Sequence, residues 1–380
     1  MKKYFILIAA ILIIGILILT KSSYERNKIP VIKAKSAMVD VRDGGVFKKA
    51  FWHISPKLSP DRYTTSTKNG KVTFITDLDS ISFEVKPNIK FQFIILLNDT
   101  AKALTEIDYV PTYLETLRRA AKYNPKDDRS FPEFTYQSAG NPYFISLRKR
   151  YNLDSIAGTG DDLSQVVNLM HWLHNLVPHD GNNGNPEIKN AEAMIDVCKK
   201  ENRGLNCRGL AMTLNECYLA LGFKSRYVTC LPKDSLKIDN DCHVINTVFL
   251  NSLKKWIWID PTFNTYILDE KGRPLSIEEV RQRIIDDRPV EVSPGANWNN
   301  KNPVVKEEYL FNYMAKNLYI LRSPIESKYD AETPVAYQKA GNKGNPEYVE
   351  LLPLDYFRQK PDKIGNCYNT NNPVKFWAKP

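Results

Sequence analysis

The chain changes its hydrophobic rhythm several times, and each change predicts an element. Tyr4 to Thr20 is apolar without a break, behind Lys2 and Lys3 and ahead of Lys21. A run of that length is close to what a bilayer-spanning helix needs, and the lysines orient its N-terminus toward the cytoplasm. No Ala-x-Ala site follows it, so residues 1–21 are read as an uncleaved signal anchor in preference to a cleaved signal peptide. Residues 22–70 are polar and broken by Pro30, Pro56 and Pro60. This composition predicts a stalk. Val72-Thr-Phe-Ile-Thr76, Ser80-Ile-Ser-Phe-Glu-Val85 and Lys90-Phe-Gln-Phe-Ile-Ile-Leu-Leu97 then alternate or run apolar, with Pro87-Asn88 turning between the last two. They predict a small β-rich module over 71–150, together with its connector. Phe131, Phe134, Tyr136 and Tyr143 in that connector serve packing better than a cleft.

From Asp161 the period becomes helical. Leu163, Val166, Val167, Met170, Leu173 and Leu176 share one face behind an Asp161-Asp162 cap. Asn190 caps a second helix carrying Met194, Val197 and Cys198. Gly204-Leu-Asn-Cys207 opens a third, with Leu210, Ala211, Leu214, Cys217, Tyr218 and Leu221 at helical spacing and Gly222 as its stop. Asp241 to Leu250 reads as a strand, Asn251 to Lys255 as a turn, and Trp256-Ile-Trp-Ile-Asp260 as the returning strand, closed by Pro261. Ser276-Ile-Glu-Glu279 is a capping box. A short helix over 307–315 and strands at Leu318–Leu321 and Tyr348–Leu352 follow. Residues 291–380 are expected to pack on the core as an extension.

This placement gives Cys207 a chemistry. Helix N-terminal N–H groups and the positive dipole end favour a thiolate over a thiol, and favour an oxyanion beside it. The hairpin brings His243 toward Asp260, and a carboxylate beside an imidazole supplies the orientation that a general base requires. Cysteine at a helix start, then histidine and aspartate on successive antiparallel strands, with Trp256-x-x-x-Asp260-Pro-Thr262 on the second, resembles the transglutaminase-like superfamily in its membrane-anchored bacterial form. Gly222-Phe-Lys-Ser-Arg-Tyr-Val228 resembles that family's strand after the cysteine helix. The resemblance implies an α+β fold over 151–290, with a cysteine helix packed on an antiparallel sheet in papain-like fashion. It also implies a Cys207-His243-Asp260 triad working through an acyl-enzyme. Asn206 and Arg208 stand where familiar transglutaminases often carry Gln and Trp, which argues against cross-linking; a wet cleft, with water at high concentration, favours hydrolysis of amide or peptide bonds. The alternative is a membrane-tethered, non-catalytic scaffold that holds a peptide in the same cleft.

Trp172, His179 and Asn206 are the candidate substrate-side residues. His171 and His174 share a helix face, but no cysteine or carboxylate completes a metal set at ordinary spacing, so neither metal nor cofactor is expected. Six cysteines without regular spacing give no disulfide framework. A formal net charge of +10 suits anionic surfaces such as cell-wall polymers or lipid head groups. Without a Lys/Arg block, nucleic acid is not an expected partner. The expected partners are a peptide, protein or cell-wall amide substrate and, through the N-terminal helix, a membrane. The body is then extracytoplasmic, or secreted if the segment is cleaved.

Overall fold

The computed structural model describes residues 29–380 except 121, 238–239, 339–343, 357–358 and 360–361. The signal-anchor segment lies outside the described residues. Among the described residues no helix is long and apolar enough to cross a membrane. The chain divides after Thr112 into two compact units.

The first unit holds eight strands: β1 (Val31–Ala34), β2 (Met38–Asp43), β3 (Val46–His53), β4 (Asp61–Thr65), β5 (Gly70–Ile75), β6 (Ser80–Val85), β7 (Phe91–Leu97) and β8 (Ala101–Tyr109). They form two four-stranded sheets, ordered β1-β7-β8-β4 and β3-β2-β5-β6. Val39, Val41, Val72, Phe74, Phe93, Ile95 and Ile107 are buried in one core. The expected stalk over 22–70 is therefore corrected, since four of the eight strands lie within it. β1, β2 and β4 bury only alternate residues and β3 buries none, so charged residues such as Lys33, Arg42, Lys49 and Arg62 stand outward, and the prolines fall between the strands. That made the stretch read as polar. The expected module over 71–150 also ends earlier. Helix Pro142–Tyr151 sends Phe144 and Leu147 into the core of the second unit.

The second unit is built on a seven-stranded sheet. Its strands are β9 (Ser225–Leu231), β10 (His243–Leu250), β11 (Lys255–Ile259), β12 (Ile320–Pro324), β13 (Tyr348–Leu351), β14 (Lys363–Ile364) and β15 (Cys367–Thr370), in the order β11-β10-β9-β12-β13-β15-β14. Every neighbouring pair is antiparallel except β13 and β15. β9 and β10 are buried along their whole length because helices cover both faces. On one side the cysteine helix, Cys207–Ala220, places Leu210, Ala211 and Leu214 with Val244, Val248, Ile257 and Ile259. On the other, helix Ile277–Ile285 and the π-helical Glu307–Met314 close over Val228, Ile245 and Trp258.

The expected caps form: Asp161 and Asn190 accept from the N–H three residues on, and Ser276 with Glu279 closes a full capping box. Asn206 adds a cap of the same kind that the sequence reading does not assign. Residues 291–380 do more than pack on the core. They supply four of the seven strands of its sheet.

Candidate active site

Cys207 is the first residue of its helix, so its N–H has no partner within the helix. The Asn206 side chain caps the turn by accepting from the Gly209 N–H at 3.1 Å, and the Asn185 amide holds Asn206 at 2.7 Å. Asn206, expected on the substrate side, thus has its side-chain oxygen committed to the helix end. Arg208 fixes the same turn from the other side. Its guanidinium meets both Glu332 oxygens, at 2.7 and 2.5 Å, and Glu332 also accepts from the Tyr227 and Tyr348 hydroxyls. Removing the carboxylate with Glu332→Ala leaves a largely buried cation unpaired. The expected cost is about 3 kcal/mol, at the low end for a broken buried pair because the Arg208 side chain keeps 28% exposure. Denaturant melts of the two proteins check it.

His243 begins β10 and Asp260 follows β11. The register pairs Asn246 with Ile259, so Asp260 lies diagonal to His243, on the same face of the sheet. The His243 Nε2–H donates to Asp260 Oδ2 at 2.6 Å, with both side chains essentially buried. Asp260 has no spare lone pair. Its Oδ2 also accepts from the Tyr309 hydroxyl at 2.5 Å, and its Oδ1 accepts from the N–H groups of Thr262 and Phe263 at 2.9 and 3.3 Å. Backbone bonds between Asp260 and Thr265 close the loop that presents it. Phe263 and Tyr313 wall the imidazole, with ring centroids 5.6 and 5.3 Å away.

The Cys207 Sγ lies 3.8 Å from the Cys242 carbonyl oxygen. Burial alone would push the Cys207 thiol up, but hydrogen bonds from His179 and His243, the charge on His243 and the Val244 N–H bring it down to about 6. Burial acts the other way on His243, and the Asp260 carboxylate, with smaller help from Cys207, carries it up to about 10. Both shifts favour the thiolate–imidazolium form of the pair. By contrast, burial raises the Cys198 and Cys217 thiols.

The other sequence candidates separate. His179 lowers the thiol. Trp172 packs on Tyr151 within the hydrophobic cluster, because its helix position faces that ring. His171 bonds Asn264, and His174 bridges the Pro261 carbonyl to Asn297, so both brace the loop carrying Asp260. Among the described residues no group of three His, Cys, Asp or Glu side chains could hold a metal ion. Sequence reasoning missed Tyr309, Trp298 and Glu332. Tyr309 and Trp298 stand 49 and 119 residues from their partners, and no local pattern marks them.

Residues 149–261 match the transglutaminase-like superfamily. The molecule is thus an α+β protein with a transglutaminase-like core and a β-rich N-terminal unit. No curated protein matches the chain. Among solved structures it is similar to one named as a putative cysteine protease from Cytophaga hutchinsonii, at 16% identity and a TM-score of 0.25, covering 43% of this chain. The chain spans about half the length of that structure, 51%.

Proposed function

We propose that the protein is a cysteine enzyme acting on amide or peptide bonds, with Cys207 as nucleophile, His243 as acid and base, and Asp260 as the group that holds the imidazolium. The observation that carries this reading is the buried His243–Asp260 pair at 2.6 Å, with Cys207 at the N-terminus of the neighbouring helix. The Cys207 thiolate attacks the carbonyl carbon, a C–S bond forms, and the carbonyl π electrons move to oxygen. Collapse of that intermediate breaks the C–N bond, and the His243 imidazolium protonates the departing amine. Water, deprotonated by His243, then attacks the thioester and frees Cys207. Hydrolysis is favoured over cross-linking because water is the abundant acceptor. The substrate class is a peptide, protein or cell-wall amide. Residues 4–20 would tether the body to the membrane on its outer side, with the basic charge facing anionic polymers.

The ion pair sets the pH dependence. Below about 6 the sulfur is protonated and does not attack; above about 10 His243 is neutral and does not protonate the leaving amine. The expected kcat/KM profile is a bell with limbs near those values. Alkylation by iodoacetamide at pH 6.5, mapped by mass spectrometry, tests the reading before a substrate is known. An ordinary thiol with a pKa of about 8.5 is roughly 1% ionised there, and a thiolate of lower pKa is intrinsically less nucleophilic, so Cys207 should label roughly 5- to 10-fold faster than such a thiol. His243→Ala should remove that advantage. A Cys207 no faster than Cys198 would leave the non-catalytic scaffold as the better account.

A further inference from the structure

His179 is bridged to Leu205, two residues before Cys207, and like His243 it lowers the Cys207 thiol, but it is held in a different way. Its backbone is locked against the segment entering the cysteine helix. His179 bridges to Leu205, with Leu205 N–H donating to Pro178 O at 3.1 Å and Asp180 N–H to Leu205 O at 2.8 Å. Gly204 permits this approach, because a Cβ there would sit 2.3 Å from the Pro178 carbonyl oxygen. From the other side the Asn299 side chain pairs with the His179 backbone as a strand would. It accepts from the His179 N–H at 2.6 Å and donates to the His179 carbonyl at 2.9 Å.

The ring is fixed next. Trp298 Nε1–H donates to His179 Nδ1 at 3.1 Å. An indole N–H has no acceptor capacity, so Nδ1 must offer its lone pair and the proton must reside on Nε2. The ring nitrogen left free is thus Nε2–H, a donor that cannot take the thiol proton. The two imidazoles acting on Cys207 then have separate tasks. His243 exchanges protons, and His179 presents a fixed N–H.

We propose that His179, held as its Nε2–H tautomer by Trp298, is the side-chain donor of the oxyanion hole and works with the Cys207 backbone N–H at the helix start. This rests on the acyl-transfer reading of the site. As the C–S bond forms, negative charge leaves sulfur for the former carbonyl oxygen one bond from the attacked carbon. A donor already acting on the thiolate follows the charge with little reorganisation. Trp298 is a positioning residue. It also walls an apolar cavity of about 410 Å³ with Phe263, Val304 and Tyr313, placing the lock at the edge of a pocket beside His243.

The test uses two reagents on the same thiolate. Iodoacetamide alkylates sulfur with loss of iodide and no oxyanion, whereas p-nitrophenyl acetate acylates it through a tetrahedral oxyanion and releases p-nitrophenolate. Plateau rates at high pH, where the thiolate is fully formed, are compared in the full-length protein. His179→Ala should lower the acylation plateau by about 10²- to 10³-fold, the usual loss for one oxyanion donor. Its alkylation plateau should hold or rise, because a thiolate freed of a donor is more nucleophilic. His179→Gln, which keeps an N–H donor, should recover at least tenfold of the loss, and Trp298→Phe should lose about tenfold.

Equal changes in both reactions would show that His179 acts on the thiolate alone and overturn the proposal. Wild-type acylation in Trp298→Phe would overturn the tautomer lock. A wild-type protein that alkylates at Cys207 yet accepts no acyl group from the ester sinks the acyl-transfer reading itself. That outcome is distinct from a failure confined to His179→Ala. Fast alkylation of Cys207 also reports whether each variant keeps a folded site.

Discussion

Replacing Cys207 by alanine should lower turnover of any amide substrate by on the order of 10⁴-fold or more, because no other group in the site can form the acyl-enzyme. The fold should scarcely notice. Cys207 is half-buried at the edge of the hydrophobic cluster, and the cap at Asn206 and the Arg208–Glu332 pair do not pass through its side chain. A shift within about 1 kcal/mol is expected. The measurement is turnover alongside a thermal melt. Undiminished turnover in this variant would refute the enzyme reading, whereas lost turnover with an equal loss of folded protein would say nothing special of the thiol.

Asp260→Asn should be nearly as severe and more informative, because the carboxylate accepts on both oxygens. Oδ2 takes the His243 N–H and the Tyr309 hydroxyl, while Oδ1 takes two backbone N–H groups. An asparagine must place its NH₂ at one of these positions. Beside Thr262 and Phe263 it opposes two donors. Beside His243 it forces the imidazole to accept on Nε2 and carry its proton on Nδ1, where it can no longer take one from sulfur. The expected loss in kcat/KM is about 10³- to 10⁴-fold, the range for a catalytic histidine held in the wrong tautomer. With the imidazolium no longer stabilised, the Cys207 alkylation limb should move up from about 6 toward the ordinary thiol range. An unchanged limb would mean that Asp260 does not set the charge of His243.

The grouping of Cys207, His243 and Asp260 was legible because each residue carries a local signal. Cys207 stands where a Gly204-to-Asn206 turn gives way to an apolar period of 3.6, and His243 and Asp260 bracket a hairpin whose two strands are continuous in sequence. The helix limits at Asp161, Asn190 and Ser276 were legible for the same reason, since a cap is a bond between residues three apart. The N-terminal strands were not, because short strands with one buried face look polar. Trp172 and Asn206 carry engagements that no sequence pattern showed: Trp172 packs on Tyr151, and the Asn206 side chain accepts from the Gly209 N–H.

The sequence by itself determined where Cys207, His243 and Asp260 stand on their own elements, because propensity, capping and hairpin register act over a few residues. Tertiary structure alone decided how those groups are charged and oriented. Tyr309 reaches Asp260 from a π-helix, Trp298 fixes the His179 tautomer, and strands beyond residue 318 complete the sheet. These contacts join residues 49 and 119 positions apart. Burial and hydrogen-bond donation at such separations depend on how the chain closes on itself, which no local pattern encodes.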